Sequence, residues 1–249
     1  MAFTLFTSLT EADKTQAIER LIKESTPRDD FFLLIILSIL MASFGLIQND
    51  TAVVIGSMLI APLLSPVLSI ALGIALLDWH LIGRSFVTIL KAVALGFIAA
   101  FILGFFLYGR FPELTPEILS RATPNLLSVL IALVAGFAAA FTLVKPDLSA
   151  TLPGIAISVS LIPPLAVAGI GLSRWNLEIA SRSFALFLIN VAAIILSGCT
   201  VFFLTRMKHE RTTADKIMKK EDTDLEHEEE KAEKEQEKKS LWHYLPFVR

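Results

Sequence analysis

The run AISVSLIPPLAVAGIGL, residues 156–172, is apolar and long enough to lie in a bilayer, yet it carries Pro163 and Pro164 at its centre. A proline inside a helix deletes a hydrogen bond, clashes with the preceding turn and costs about 3 kcal/mol. It also drives the residue before it out of the α region, here Ile162 and Pro163. The pair therefore predicts a segment broken at its middle. Neighbouring helices, hydroxyl side chains or a water-filled cavity can satisfy the freed backbone groups of such a break; lipid cannot.

A second run, VIGSMLIAPLLSPVL at 54–68, aligns with the first, L-I-A-P-L at 59–63 beside L-I-P-P-L at 161–165. Similar sequels follow: Trp79 then RSFVTIL at 84–90, and Trp175 then RSFALFL at 182–188. The chain reads as two units of three spans, 31–108 and 125–206. A unit with an odd number of crossings places its copy upside down. Inverted repeats with interrupted helices are the architecture of many secondary transporters, whose sites lie where the broken segments meet near the midplane. The breaks correspond, Pro62 and Pro66 in the second span, Pro163 and Pro164 in the fifth. Ser57, Ser65, Ser158 and Ser160 flank them and offer hydroxyls to a pathway. A kinked packing helix with no site is the competing reading of either segment alone. A re-entrant hairpin is the alternative geometry, since each half-segment is only about 12–17 Å long at 1.5 Å per residue.

Composition supports the membrane class. Of 249 residues, 54% are hydrophobic, and the mean hydropathy is +0.66. Apolar runs at 31–47, 51–77, 84–108, 125–144, 150–172 and 182–206 each approach or exceed the ~20 residues that cross a bilayer. The expected fold class is an all-α integral membrane protein with about six transmembrane helices, the second and fifth broken by proline. Gly96, Ala100 and Gly104, and Ala132, Gly136 and Ala140, form small-residue stripes suited to close helix packing.

The polar ends frame this region. The start, MAFTLFTSLTEADK, lacks a basic region before its apolar residues and no small-residue cleavage site follows, so no removable signal peptide is expected in the N-terminal segment 1–30. That segment contains an amphipathic helix from Thr10, with Ile18, Leu21 and Ile22 on one face, which lies on the membrane or packs against the protein. Residues 109–124 link the repeats. Residues 207–249 form a mixed-charge tail with almost no apolar face, expected as solvated helix or disorder. Its aromatic end, with Trp242, Tyr244 and Phe247, suits a membrane interface, a partner groove or a frayed terminus. Basic residues near the spans place both termini in the cytoplasm of a cell-membrane protein.

The runs VVIGSMLIAPLLSPVLSIALG, TPEILSRATPN and LPGIAISVSLIPPLAVAGIGL resemble signature segments of a prokaryotic family of hydrophobic membrane proteins, domain of unknown function 389. The similarity covers about residues 45–206 and implies a family rather than an activity. It draws attention to 115–125, where Glu117 and Arg121 form an i,i+4 pair. This is either an ordinary solvated interfacial helix or a gate, with Arg121 or Asn125 contacting an anion. Asn49, Asp50 and Asn190 pose the same choice. Asp50 reads as the cap of the second span, whereas Asn190, deep in the sixth, needs a buried partner or a wet cavity.

An enzyme is the weakest reading. The four histidines include no pair at zinc-ligand spacing, and no nucleophile elbow or phosphate loop occurs, so no catalytic residue, metal or cofactor is expected. Cys199 reads as a small packing residue. A transporter or channel for a small solute or ion best uses paired broken helices with few charges. A non-transporting structural, regulatory or lipid-interacting module is the alternative. Expected partners are the lipid bilayer, the solute, a second copy of the chain and a cytoplasmic protein bound by the tail. No basic patch with interleaved aromatics points to nucleic acid.

Overall fold

A computed structural model describes residues 9–151 and 160–244. Its helices are α1 (Glu11–Glu24), α2 (Asp29–Gln48), α3 (Thr51–Ile60), α4 (Leu64–Leu76), α5 (Trp79–Tyr108), α6 (Pro116–Arg121), α7 (Leu126–Val144), α8 (Ile162–Ser173), α9 (Leu177–Leu204) and α10 (Arg211–Tyr244). Short 3-10 turns at Pro146–Thr151 and Met207–Glu210 complete the described elements. Ser158 falls outside the described residues, as do Phe247 and the side chains of Trp242 and Tyr244.

Among the described residues α2, α5, α7 and α9 are each long and apolar enough to cross a membrane. The pair α3 and α4 forms a fifth candidate span, bent by 51° at its break. The chain is thus an all-helical, multi-pass membrane protein. The break expected in the second span is present, with Pro62 in the connecting turn.

Around Pro163 and Pro164 the local structure differs from the mid-helix interruption that the sequence predicts, and the residues at 152–159 before them lie outside the described ones. Ser160 and Leu161 are not helical, and α8 starts at Ile162, which puts Pro163 and Pro164 inside its first turn. Pro66 lies in the first turn of α4. First-turn N–H groups have no carbonyl four residues back, so a proline there removes nothing and arrives with its φ already helical. These three prolines start helices instead of interrupting them, and the interior cost of about 3 kcal/mol does not apply. With only twelve residues, α8 reaches about 18 Å.

Three corners share one construction. Asn49, Leu77 and Trp175 take left-handed conformations with φ of 58°, 56° and 57°. The next residue then donates its N–H back to a glycine carbonyl: Asp50 to Gly45 at 2.8 Å, Asp78 to Gly73 at 2.9 Å and Asn176 to Gly171 at 2.9 Å. That same Asp or Asn caps the following helix through its side chain. Glycine is required because the incoming helix sits on it. A Cβ on Gly45 would lie 2.9 Å from the Val54 nitrogen, and one on Gly171 would lie 2.9 Å from the Ala180 nitrogen. The pattern Gly-x4-Asp/Asn occurs three times in the chain, at these corners.

The corners turn the long helices around a core made by the short ones. From Ile162 to Gly171 every residue of α8 is buried, and α4 is buried from Pro66 to Gly73. In lipid such packing rests on close van der Waals contact, because the bilayer is as apolar as the helix. The small-residue stripes supply it. Gly96 of α5 lets Leu165 approach, and a Cβ on Gly169 would meet Ala100 Cβ at 2.6 Å and the Phe97 carbonyl at 2.9 Å. Gly136 of α7 rests against the Ile194 backbone of α9.

Both polar ends pack on this bundle. Ala17, Ile18, Leu21 and Ile22 of α1 are buried, so the N-terminal helix docks on the protein. The tail departs from the expectation of no apolar face, since Met207, Ala214 and Met218 are buried. Their spacing gives a short stripe that the many surrounding charges obscure in the sequence. Ion pairs Arg84 to Asp222, Arg28 to Glu221 (3.3 Å) and Lys14 to Glu210 (3.8 Å) fasten the start of the tail.

Candidate functional site

Most of the polar residues singled out in the sequence gather at the break between α3 and α4 and at the start of α8. At the start of α8, Ser160 is the hub. Its Oγ accepts from Arg121 Nη1 at 3.3 Å, and its carbonyl accepts from Asn190 Nδ2 at 2.7 Å. Arg121 in turn pairs with Glu117 at 3.4 Å, while Glu117 accepts from the Thr51 hydroxyl at 2.5 Å. Asn49 Oδ1 takes the Glu117 N–H at 3.1 Å. Asn49, Thr51, Glu117, Arg121, Ser160 and Asn190 therefore form one connected network, drawn from α2, α3, α6 and α9 and the start of α8.

This network is incompletely satisfied. Asn190 is only 4% exposed, and its Oδ1 has no hydrogen-bond partner among the described residues; Arg121 Nε is buried and equally unpartnered. Buried polar atoms in that state cost about 1–3 kcal/mol each unless a water or ligand meets them. The helix α6 holds its ion pair over the break because Thr115 caps it and donates its hydroxyl to the Leu46 carbonyl at 2.5 Å, while Ile118 is fully buried beneath.

At the first break, Ser65 donates its hydroxyl to Glu24 Oε2 at 2.6 Å, and Arg20 Nε pairs with Glu24 Oε1 at 2.7 Å. The Ser69 hydroxyl also reaches the Leu21 carbonyl of α1. A cavity of 620 Å³ lies here, with Pro62 and Ser65 in its lining beside Glu24, Lys23 and Arg28 of the N-terminal segment. None of Ser160, Pro163, Pro164 or Asn190 lines it.

The remaining candidates do local work. Ser57 donates to the Val54 carbonyl, and its own carbonyl receives the Ser38 hydroxyl, which joins α2 to α3. Asp50 caps α3 through the Ala52 and Val53 amides. Asn125 caps α7 through the amide and hydroxyl of Ser128. Pro66, Pro163 and Pro164 are buried first-turn residues. Cys199 donates weakly to the Ala71 carbonyl at 3.6 Å, a packing contact between α4 and α9.

Two groups escaped the sequence reading. Glu24 sits on a helix that shows only ordinary i,i+4 charge pairing, and its link to Ser65 exists only in the folded chain. Arg174 donates to the carbonyls of Phe111 and Glu113, both at 2.8 Å, and to Pro112 at 3.3 Å. It thereby pins the linker before α6. The Trp-then-RSF sequel adjoining Arg174 was visible, but nothing in it names a carbonyl partner.

An uncharacterized protein of Methanocaldococcus jannaschii is 33% identical over 201 residues, which is 77% of this chain and 62% of that protein. The chain therefore spans less than two thirds of that relative's length. No solved structure matches. The profile of a domain of unknown function, DUF389, matches residues 58–196, a stretch that takes in both breaks, both corners at Gly73 and Gly171, and α6. With more than half of its length inside that profile, the chain belongs to the DUF389 family.

Proposed function

We propose that the protein conducts a small solute or ion across the membrane, along a path between its two broken segments, with an interfacial helix closing each end. One observation carries this reading. A helix with Arg and Glu four residues apart lies at the α3–α4 break and another at the start of α8, and one member of each ion pair reaches a serine there: Glu24 of α1, paired with Arg20, at Ser65, and Arg121 of α6, paired with Glu117, at Ser160. Polar latches over helix breaks suit a gated path, whereas a purely structural bundle gains little from unpartnered buried atoms at Asn190 and Arg121.

The same arrangement supports an inverted repeat in which each unit is an interfacial helix, a span, a broken span and a long span. The matching corners at Gly73 and Gly171 favour it. The chain leaves α7 near α1, where Leu143 lines the first cavity, and reaches the linker before α6 at Arg174. The proposed repeat counts α8 within a sixth crossing despite its shortness. Arg28 and Arg84 face the tail at the α1 end, which favours both termini in the cytoplasm. The reading is non-enzymatic.

Proteoliposomes test the proposal by light scattering after osmotic shock with urea, glycerol, alanine or sorbitol, and by a potential-sensitive dye under a potassium chloride gradient. At least one probe should cross faster than in protein-free vesicles. Glu24→Gln and Arg121→Gln each loosen the charge-assisted hydrogen bond to the serine, worth about 1.5 kcal/mol, together with the ion pair behind it, and should raise that flux about tenfold or more. Rates equal to protein-free vesicles for every probe, in the parent and in both variants, would overturn the reading.

A further inference from the structure

The cavity at the α3–α4 break differs from the network around Ser160 in having exposed apolar side chains in its lining. Its floor and walls include Leu34 of α2 and Leu59 of α3, which are 39% and 51% exposed on the bundle's outer surface. In a bilayer these leucines would meet hydrocarbon, while the rim belongs to α1 and the polar residues that follow it. An occupant of this space touches both environments at once.

The charge on the rim is unevenly spent. Of its two carboxylates, Glu24 holds Arg20 and the Ser65 hydroxyl, and Asp30 accepts the Phe31 amide at 2.9 Å. The Lys23 ammonium has neither a hydrogen bond nor an ion pair among the described residues. Arg28 binds Glu221 through Nη2 at 3.3 Å, but its buried Nε has no hydrogen bond and lies 3.9 Å from the nearest carboxylate oxygen, that of Glu228. The rim thus offers an anion the Lys23 ammonium and the Arg28 Nε, with Asp30 the one rim carboxylate outside an ion pair among the described residues, and the walls offer apolar side chains.

We propose that this cavity binds an anionic phospholipid from the adjoining leaflet, its phosphate at Lys23 and Arg28 and the upper part of an acyl chain along Leu34 and Leu59. Basic pockets at the cytoplasmic surface recognise anionic headgroups in this way, each cation contributing through a short-range field. A volume of 620 Å³ accommodates a headgroup with the first carbons of its chains, within the range of small-molecule sites. A free phosphate would satisfy Lys23 and leave the leucine walls bare. A choline headgroup carries its own cation, which Lys23 and Arg28 repel, so its net attraction to this rim is smaller than that of an anionic headgroup. The bound lipid would also hold α1 over the first break, since Lys23 and the latch residue Glu24 are neighbours. This site does not depend on whether the protein conducts a solute.

Native mass spectrometry of the delipidated full-length protein, offered equal phosphatidylglycerol and phosphatidylcholine, tests the proposal. One phosphatidylglycerol per chain should be retained in preference to phosphatidylcholine. Lys23→Gln changes an exposed, unpaired side chain, so the fold should stand while phosphatidylglycerol retention falls about fivefold; Lys23→Arg should keep it. Leu59→Trp narrows the apolar side without changing charge and should also lower retention. Equal retention of the two lipids, or a preference that survives both Lys23→Gln and Leu59→Trp, would overturn the site. So would inorganic phosphate raising the melting temperature as much as phosphatidylglycerol, which would make it a soluble-anion site.

Discussion

Replacing Pro163 and Pro164 together with alanine distinguishes a helix that is interrupted from one that begins. If the prolines stood inside a continuous helix, alanine would be the better helix former by about 3 kcal/mol per site, about 6 kcal/mol for the pair. In the structure α8 starts at Ile162, both prolines are buried, and neither position needs an N–H. The interior gain is therefore absent. Two costs remain. Alanine frees the unfolded chain by about 0.4–1 kcal/mol per site. It also adds two buried N–H donors with no acceptor inside α8, at about 1–3 kcal/mol for each that stays unpaired. The double variant should lose about 2–5 kcal/mol of stability, allowing one new donor to find an acceptor. Denaturation in mixed micelles, followed by far-ultraviolet circular dichroism, measures the change against the parent. A variant several kcal/mol more stable than the parent would refute the first-turn reading and restore the interrupted helix.

The corners and the tail give two more expectations. Gly171→Ala puts a Cβ 2.9 Å from the Ala180 backbone nitrogen and should cost about 1–3 kcal/mol, whereas Gly83→Ala, with nothing within 4 Å, should be neutral or gain up to about 1 kcal/mol; melting both variants in detergent checks the contrast. The Glu210 carboxyl is raised above its ordinary range first by its hydrogen bond to Glu11, then by burial and the Glu11 charge, against the opposing pull of Lys14 and Thr213. A raised folded-state value stabilises most below the ordinary carboxylate range and less as pH rises through it. Docking of the start of α10 on α1 should therefore loosen as pH rises, and hydrogen exchange across 211–222 should show this in the parent and lose the pH dependence in Glu210→Gln.

The helices and their packing stripes were legible because hydropathy and small-residue spacing are local signals. Gly96, Ala100 and Gly104 do line the contact with α8, and Asp50 caps the helix it precedes. The prolines were legible as a boundary but not as a beginning, since sequence alone does not say whether the residues before Pro163 are helical. The Gly-x4-Asp/Asn corners could have been found from their recurrence at 45, 73 and 171, each just before an apolar run. The gathering of Asn49, Glu117, Arg121, Ser160 and Asn190 was out of reach. It depends on α6 folding back over α8, a tertiary fact set by Thr115 on the Leu46 carbonyl and Arg174 on the linker. Met207, Ala214 and Met218 were hidden for a related reason, because a three-residue stripe in a charged helix becomes apolar in meaning only when α1 is there to receive it.

The enclosure of α8 also bears on how the chain is made. A helix of about 18 Å is too short to rest across a ~30 Å hydrocarbon layer alone, and its neighbours arrive at different times. The surface that receives Gly169 belongs to α5 and is synthesised first; α9, which closes over Gly171, emerges only afterwards. The nascent segment must wait beside the first half until the last span is delivered. A bulky substitution at Gly169 would then act as a fault in biogenesis, lowering the amount of protein that reaches the membrane before any question of its activity arises.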